Sequence, residues 1–360
     1  MKKRTIAQDV AELAGVSRTT VSFVLNDVPG MRIGEVTRQR VIEAARELDY
    51  HPDATARRMA MGRTSIIGFV LRQTPDQVYS DRFLPQALIG LTTAASSQGY
   101  HVLIEPAPPD VDSGAYIRLI RERHVDGIVL SGPRFDDRDI LSAQTQHGPV
   151  VLMGQLPGTD LPFVDVDNVG GAALATHHLI ELGHRRIAFI SNADPAYTAS
   201  AERLAGYRQA LESANILFDE SLVRYGNFTP SSGEKAMADL LRLVPRPTAV
   251  FVASDTVAVG ALKVIRQAAL NVPRDIALVG FDDIPLSEFF EPALTTIRLP
   301  AYGLGWGAAE LLIRLINHDV IRQPAVLLET ELVVRQSCGA QHAARLESAP
   351  VSAARVIARA

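Results

Sequence analysis

The sequence predicts a small all-α headpiece at its N-terminal end, followed by a larger α/β part built as two similar lobes with parallel sheets. Two observations carry this. Residues 5–26, TIAQDVAELAGVSRTTVSFVLN, have the spacing of a helix, a tight break and a second helix. After Thr64 short apolar runs recur between amphipathic stretches: SIIGFVL, YHVLIE, DGIVLS, PVVLMG, RRIAFIS, TAVFVAS and DIALVGF. Such runs, separated by helical patterns, mark buried parallel strands. They fall into two sets that divide near residues 157–162.

The headpiece opens with Thr5 and Gln8 at capping-box spacing. Ile6, Val10 and Leu13 then make one apolar face, Gly15 and Val16 break the helix, and Ser17 is placed to cap the next. On that second helix Val21, Val24 and Leu25 turn inward, while Arg18, Thr19, Ser22, Phe23 and Asn26 share the outer arc. A helical hairpin packed on some other element has the same periodicity. The outer arc of Arg, Thr and Ser lacks the Glu/Lys alternation of a solvated helix, however, and suits base edges in a DNA major groove. A third helix begins at Gly34 and Glu35, with Val41, Ile42, Ala45 and Leu48 as its buried stripe. His51-Pro52 ends it, because proline disfavours helical geometry in the residue before.

Charge is divided accordingly. The 360 residues carry a net charge of −4. Residues 1–63 hold 11 Lys and Arg against 8 Asp and Glu, a balance of +3, and the remainder holds 25 against 32, a balance of −7. Attraction to phosphate is therefore confined to the headpiece. One cysteine, Cys338, excludes an internal disulfide framework and fits a reducing cytoplasm. No stretch approaches the length of a membrane span, and no signal peptide is expected, since Gln8, Asp9 and Glu12 interrupt any apolar core after Lys2, Lys3 and Arg4.

The string DVAELAGVS followed by TTVSFVLN closely resembles the DNA-binding headpiece of the lactose/galactose/purine repressor family. The resemblance continues through HHLIELGHRRIAFI, ERLAGY, RPTAVF, VGFDD and LTTIRLP, over roughly residues 5–337. It implies a headpiece at 1–50, a hinge helix or linker at 51–63, and a periplasmic-binding-protein-like domain at 64–338 for effector binding and dimerisation. The first lobe is then expected at about 65–162 and 295–325, the second at about 163–294 and 326–338, joined by three crossovers. Candidate DNA contacts are Thr5, Ser17, Arg18, Thr19, Thr20, Ser22, Phe23 and Asn26 in the headpiece, with Ala56 and Met59 in the hinge. Residues 53–61 are too short to fold alone, and Met59 would press into the minor groove; a plain linker is the other reading. Asp53 stands where the family usually has Asn.

For the effector the resemblance implies Arg203, whose fork can hold two hydroxyls; Asp282, a strong acceptor; Phe228, stacking on an apolar ligand face; and Ser254 in place of a common Asn. Ser131 is a further cleft position. A salt bridge between Arg203 and Asp282 with no ligand is the alternative. Residues 72–83 are several residues longer than the family pattern, and Asp81, Arg82 and Phe83 are expected to border the cleft.

Other motifs lead elsewhere. His177, His178, Glu181 and His184 do not keep zinc-ligand order, the glycines at 303–307 follow a proline rather than a strand, and no phosphate loop or nucleophile elbow occurs. No cofactor, metal or catalytic activity is expected. Residues 339–360, rich in Ala and Arg, keep no heptad and read as a flexible tail on a dimer rather than a tetramerising coil. The reading is a dimeric repressor of carbohydrate genes that binds a pseudo-palindromic operator and answers to a sugar-like effector. A purine- or nucleoside-responsive repressor, and a solute-binding protein with structural N-terminal helices, are the alternatives.

Overall fold

The computed structural model describes residues 5–25, 31–50, 63–109, 114–137, 140, 148–321 and 324–340. The chain divides into two units, Met1–Ser65 and Ile66–Ala360.

In the first unit α1 (Ala7–Ala14), α2 (Arg18–Leu25) and α3 (Glu35–Glu47) pack around a core of Val10, Ala11, Ala14, Val21, Val24, Val41, Ala44 and Ala45. Gly15, at φ 63°, closes α1 in the left-handed conformation and donates to the carbonyls of Ala11 and Glu12. Ser17 Oγ accepts from the Thr20 N–H at 3.1 Å and so caps α2, as its spacing predicts. The start of α1 departs from expectation. Ile6 is its cap, and Asp9 accepts from the Ile6 N–H at 2.8 Å. Gln8 instead donates to Glu12 at 3.0 Å, and the Thr5 hydroxyl donates to the Leu48 carbonyl at 3.2 Å. The reach-back residue lies three after the cap, so moving the cap from Thr5 to Ile6 passes that role from Gln8 to Asp9. The buried face is also narrower than predicted: Ile6 and Leu13 are 50% and 48% exposed, and Ala11 and Ala14 pack inward with Val10.

In the second unit, the described strands form two six-stranded sheets. The first comprises β1 (Ile66–Leu71), β2 (His101–Pro106), β3 (Gly127–Ser131), β4 (Val150–Met153), β5 (Phe163–Val166) and β11 (Ala325–Leu328), in the order β11-β5-β4-β3-β1-β2 and parallel throughout. The second comprises β6 (Ile187–Ile190), β7 (Val223–Arg224), β8 (Ala249–Val252), β9 (Ala277–Asp282), β10 (Thr295–Arg298) and β12 (Glu331–Val333), in the order β12-β10-β9-β8-β6-β7. Only β12 runs antiparallel among these strands, against β10. Each sheet thus repeats one doubly wound order. Each strand order reverses beside the first strand of its sheet, and a crevice opens there at the strand carboxyl ends.

The expected lobe bounds are corrected by this topology. β5, at 163–166, belongs to the first sheet instead of opening the second, and β10, at 295–298, belongs to the second instead of the first. β11, at 325–328, straddles the expected boundary and lies wholly in the first sheet. Strand pairing is non-local, so a buried four-residue run such as FVDV carries no mark of the sheet it joins.

Helices cover both faces. In the first lobe α5 (Leu84–Ser97) crosses α11 (Ala301–Ile316), and in the second α7 (Asn168–Glu181) crosses α8 (Thr198–Ser213); α4 (Pro75–Ser80) and α6 (Ala115–Arg121) also belong to the first, and α9 (Pro230–Leu241) and α10 (Asp255–Gln267) to the second. At the α7–α8 crossing a Cβ on Gly206 would collide with the Val169 carbonyl oxygen, so glycine permits the approach. The glycines of 303–307 open α11, where a Cβ on Gly305 would collide with the Ala87 carbonyl oxygen.

Candidate functional site

On the headpiece, Ser17, Arg18 and Thr19 are exposed, and Thr5, Thr20, Ser22 and Phe23 are half-buried. Ser17 and Thr20 also share a hydroxyl contact at 2.9 Å. The outer arc of α2 therefore has Arg18 and Thr19 outermost, on a helix whose first turn is held by Ser17. Thr5 spends its hydroxyl proton on Leu48. Asn26, Ala56 and Met59 lie outside the described residues.

In the second unit a cleft open to solvent lies at the strand carboxyl ends of both sheets. All six residues singled out for an effector line it: Arg203, Asp282, Phe228, Ser254, Ser131 and Phe83. Ser131 ends β3, Asp282 ends β9 and Ser254 follows β8. Arg203 is carried on α8, 6% exposed. Its Nε donates to Asn168 Oδ1 at 2.9 Å and its Nη1 to the Ala253 carbonyl at 2.7 Å. Its guanidinium carbon lies 3.9 Å from the Phe281 ring centroid, within cation–π range. Asp282 Oδ1 is 3.8 Å from Arg203 Nη1, an ion pair too long for a hydrogen bond. Asp282 and Asp283 sit at φ 118° and 54°, and such backbone strain is characteristic of functional turns. Phe228, also at positive φ, meets Tyr197 edge-on at 5.1 Å between centroids.

The segment after β1 forms a strap that includes α4. Thr74 caps α4 by accepting from the Gln77 N–H at 3.3 Å, and Gln77 reaches back to the Thr74 N–H at 2.7 Å. Asp81 and Phe83 enter the cleft, whereas Arg82 stays exposed with its guanidinium 5.8 Å from the Tyr79 ring centroid. Asp81, 8% exposed, accepts from Gln73 Nε2 at 2.8 Å and from the Phe83 N–H at 3.1 Å.

Contacts between the lobes close both rims of the cleft. On one side the strap's Gln77 donates to Asn227 at 2.5 Å and the Arg82 N–H to Thr256 Oγ1 at 3.3 Å. On the other, Arg134 pairs with Asp194 at 3.0 Å, the Phe135 N–H donates to the Ala196 carbonyl at 2.9 Å, and the Tyr197 hydroxyl donates to the Arg72 carbonyl.

Electrostatically the cleft is acidic. Burial pushes the carboxyls of Asp81, Asp165 and Asp282 up, Asp282 well above the usual range. Behind them, burial and the Asp165 charge push Glu202 up to about 7, and burial pushes Asp255 up to about 6. Arg203 is the one cationic side chain among the described lining residues. Such a site favours a ligand that donates hydrogen bonds to carboxylates.

Sequence reasoning did not single out Gln73, Asp165, Asn168, Asn192 or Tyr197, all of which line the cleft. Gln73, Asp165, Asn168 and Asn192 lie in or just after strands, so a search for polar residues at strand carboxyl ends would have found them. His177 and His184, from the histidine cluster, meet Ser213 Oγ at 3.3 Å and Thr248 Oγ1 at 3.0 Å.

Comparison with known proteins agrees with this geometry. Residues 6–53 match the model of bacterial regulatory proteins of the lacI family, and residues 176–338 that of a periplasmic binding protein-like domain. The chain is 35% identical to the HTH-type transcriptional regulator CelR of Thermobifida fusca, over 93% of this chain and 99% of that one. It is 35% identical to the HTH-type transcriptional repressor CytR of Escherichia coli, over 93% of this chain and 97% of that one. The solved complex of CelR with cellobiose superposes with a TM-score of 0.71 at 35% identity, covering 93% of this chain and all of that one. The lac repressor dimer bound to operator and an anti-inducer gives 0.80 at 27% identity, covering 93% and 99%. With its helix-turn-helix headpiece and two-lobed cleft domain, the chain belongs to the LacI family of DNA-binding transcriptional regulators.

Proposed function

We propose that this protein is a cytoplasmic, non-enzymatic repressor that binds a pseudo-palindromic operator as a homodimer and releases or holds it according to a sugar bound between the lobes. The observation that carries the effector class is the buried Arg203–Asp282 pair facing the cleft beside Ser254, Ser131, Phe228 and Phe83. A carboxylate and a forked donor side by side match vicinal hydroxyls, and the Phe228 ring offers an apolar wall to a sugar face. CelR, solved with cellobiose, supports that reading. On the DNA side Arg18, Thr19, Thr20, Ser22, Phe23 and Asn26 read bases, Ser17 positions their helix, Thr5 joins the surface nearby, and Ala56 and Met59 serve the minor groove. Among the described residues no helix is long and apolar enough to cross a membrane.

Operator binding with and without a panel of neutral sugars tests the proposal. The operator is first selected from a random-sequence pool and footprinted. Two symmetric half-sites, affinity that falls steeply with salt, and a shift in affinity with one sugar are expected. Retention of DNA after deletion of residues 1–63 would refute the headpiece assignment. A response to cytidine or hypoxanthine and to no sugar would replace the effector class.

A further inference from the structure

The strap at residues 73–83 places a carboxylate in the cleft from the first lobe, opposite the Arg203–Asp282 pair of the second. We propose that Asp81, oriented by Gln73, is the residue that makes this cleft select uncharged polyhydroxyl ligands and reject phosphorylated or acidic ones. The inference rests on the sugar reading and goes beyond it by naming a selectivity residue and the ligand class it excludes.

Three features support it. Asp81 is fixed: Gln73 Nε2 holds one carboxylate oxygen at 2.8 Å and the Phe83 N–H holds the other at 3.1 Å, which leaves lone pairs on both for ligand hydroxyls. The strap that carries it is a capped helix clasped to the other lobe by Gln77–Asn227 and by the Arg82 N–H to Thr256 Oγ1, so Asp81 cannot swing out while the cleft is closed. The charge around it is one-sided as well. Asp81, Asp165 and Asp282 line the cleft against Arg203, which already donates to Asn168 and to the Ala253 carbonyl. A phosphate would meet three carboxylates against a single guanidinium, two of whose five N–H donors are already taken. A hydroxyl can donate to any of these carboxylates at no electrostatic cost.

The test is calorimetry on the full chain with glucose, galactose, ribose, maltose and cellobiose, and with glucose 6-phosphate, galactose 6-phosphate and ribose 5-phosphate as anionic counterparts. Wild-type protein should bind one neutral sugar at least about 100-fold more tightly than any of the phosphates. Asp81→Asn should weaken the neutral sugar by about 10- to 100-fold, the loss of a charge-assisted hydrogen bond, and narrow the gap to the phosphates. Gln77→Ala removes both the clasp and the reach-back to the Thr74 N–H; it should lower affinity for the neutral sugar and narrow the gap to the phosphates in the same direction as Asp81→Asn. If Asp81→Asn does not fold, Gln73→Ala, which removes the bond that orients Asp81, takes its place and should move affinity and ratio in the same direction. A phosphate that binds as tightly as its neutral parent, or Asp81→Asn with wild-type affinity and ratio, overturns the proposal while the sugar reading stands. Wild-type protein that binds no sugar but binds hypoxanthine, which has no polyhydroxyl part, overturns both.

Discussion

Asp282→Asn separates recognition from folding more sharply than any other change in the cleft. The substitution keeps the shape of the side chain and removes its charge. Asp282 lies 3.8 Å from Arg203 Nη1, so the pair is coulombic, and Arg203 retains both its hydrogen bonds and its seat on Phe281 when the charge goes. The carboxylate is held at a cost, since burial and the charges of Asp255 and Asp81 all oppose its ionisation. These effects offset one another, and the folding stability of the regulatory domain should change by no more than about 1 kcal/mol. Effector binding has no such compensation. A sugar hydroxyl loses an ionised acceptor, which costs about 1.5–3 kcal/mol, or about 10- to 150-fold in Kd. Urea melts and calorimetry on the same preparations read the two quantities, and operator affinity measured without sugar checks the headpiece. If stability falls in step with affinity, Asp282 is a structural anchor; if affinity does not change, it does not touch the ligand. Either outcome refutes the assignment.

Three further outcomes follow from the geometry. Ser17→Ala should cost the headpiece about 1 kcal/mol by uncapping α2 and weaken operator binding while effector affinity stays constant, as read by melts and by DNA titration. Gly206→Ala forces a methyl group against the Val169 carbonyl at the α7–α8 crossing; it should destabilise the regulatory domain by about 1–3 kcal/mol and weaken effector binding through Arg203, one helical turn earlier, and an unchanged melting temperature would contradict that packing. Glu202 and Asp255 are raised to about 7 and about 6 in the folded chain from ordinary values of 4.5 and 3.8, so the folded state binds more protons over that interval. Stability should therefore be greatest below it and decline as pH rises through 7, with a lower melting temperature at pH 8 than at pH 5, and Glu202→Gln should flatten the upper part of the slope.

The sequence discloses what is local. The Ser17 cap, the three headpiece helices and the apolar runs of β1, β3, β4, β6, β8 and β9 each depend on neighbours within a few residues and form where the pattern puts them, while the cap of α1 falls one residue later, at Ile6. Leu13 misled because a helix that packs closely on its neighbours buries its alanines, Ala11 and Ala14, and leaves a larger side chain outside. Sheet membership failed for β5 and β10 because pairing joins residues far apart in the chain. Arg203 and Asp282 were named by resemblance and lie 3.8 Å apart in the cleft. Tyr197, by contrast, has no local signature. Its place depends on the partner lobe, as in the bond from the Tyr197 hydroxyl to the Arg72 carbonyl.

The positions of β11 and β12 bear on how the chain is made. Residues 325–328 finish one sheet and residues 331–333 finish the other, so during synthesis both lobes wait on the same short stretch. Until it emerges, β5 and β10 each present a bare edge at the ribosome, and an unpaired edge is a template for mispairing with another chain. A premature stop a few codons before residue 325 would leave both lobes with an open edge rather than one lobe intact and the other lost. Quality control of the nascent polypeptide thus falls on a segment outside both the headpiece and the lining of the cleft.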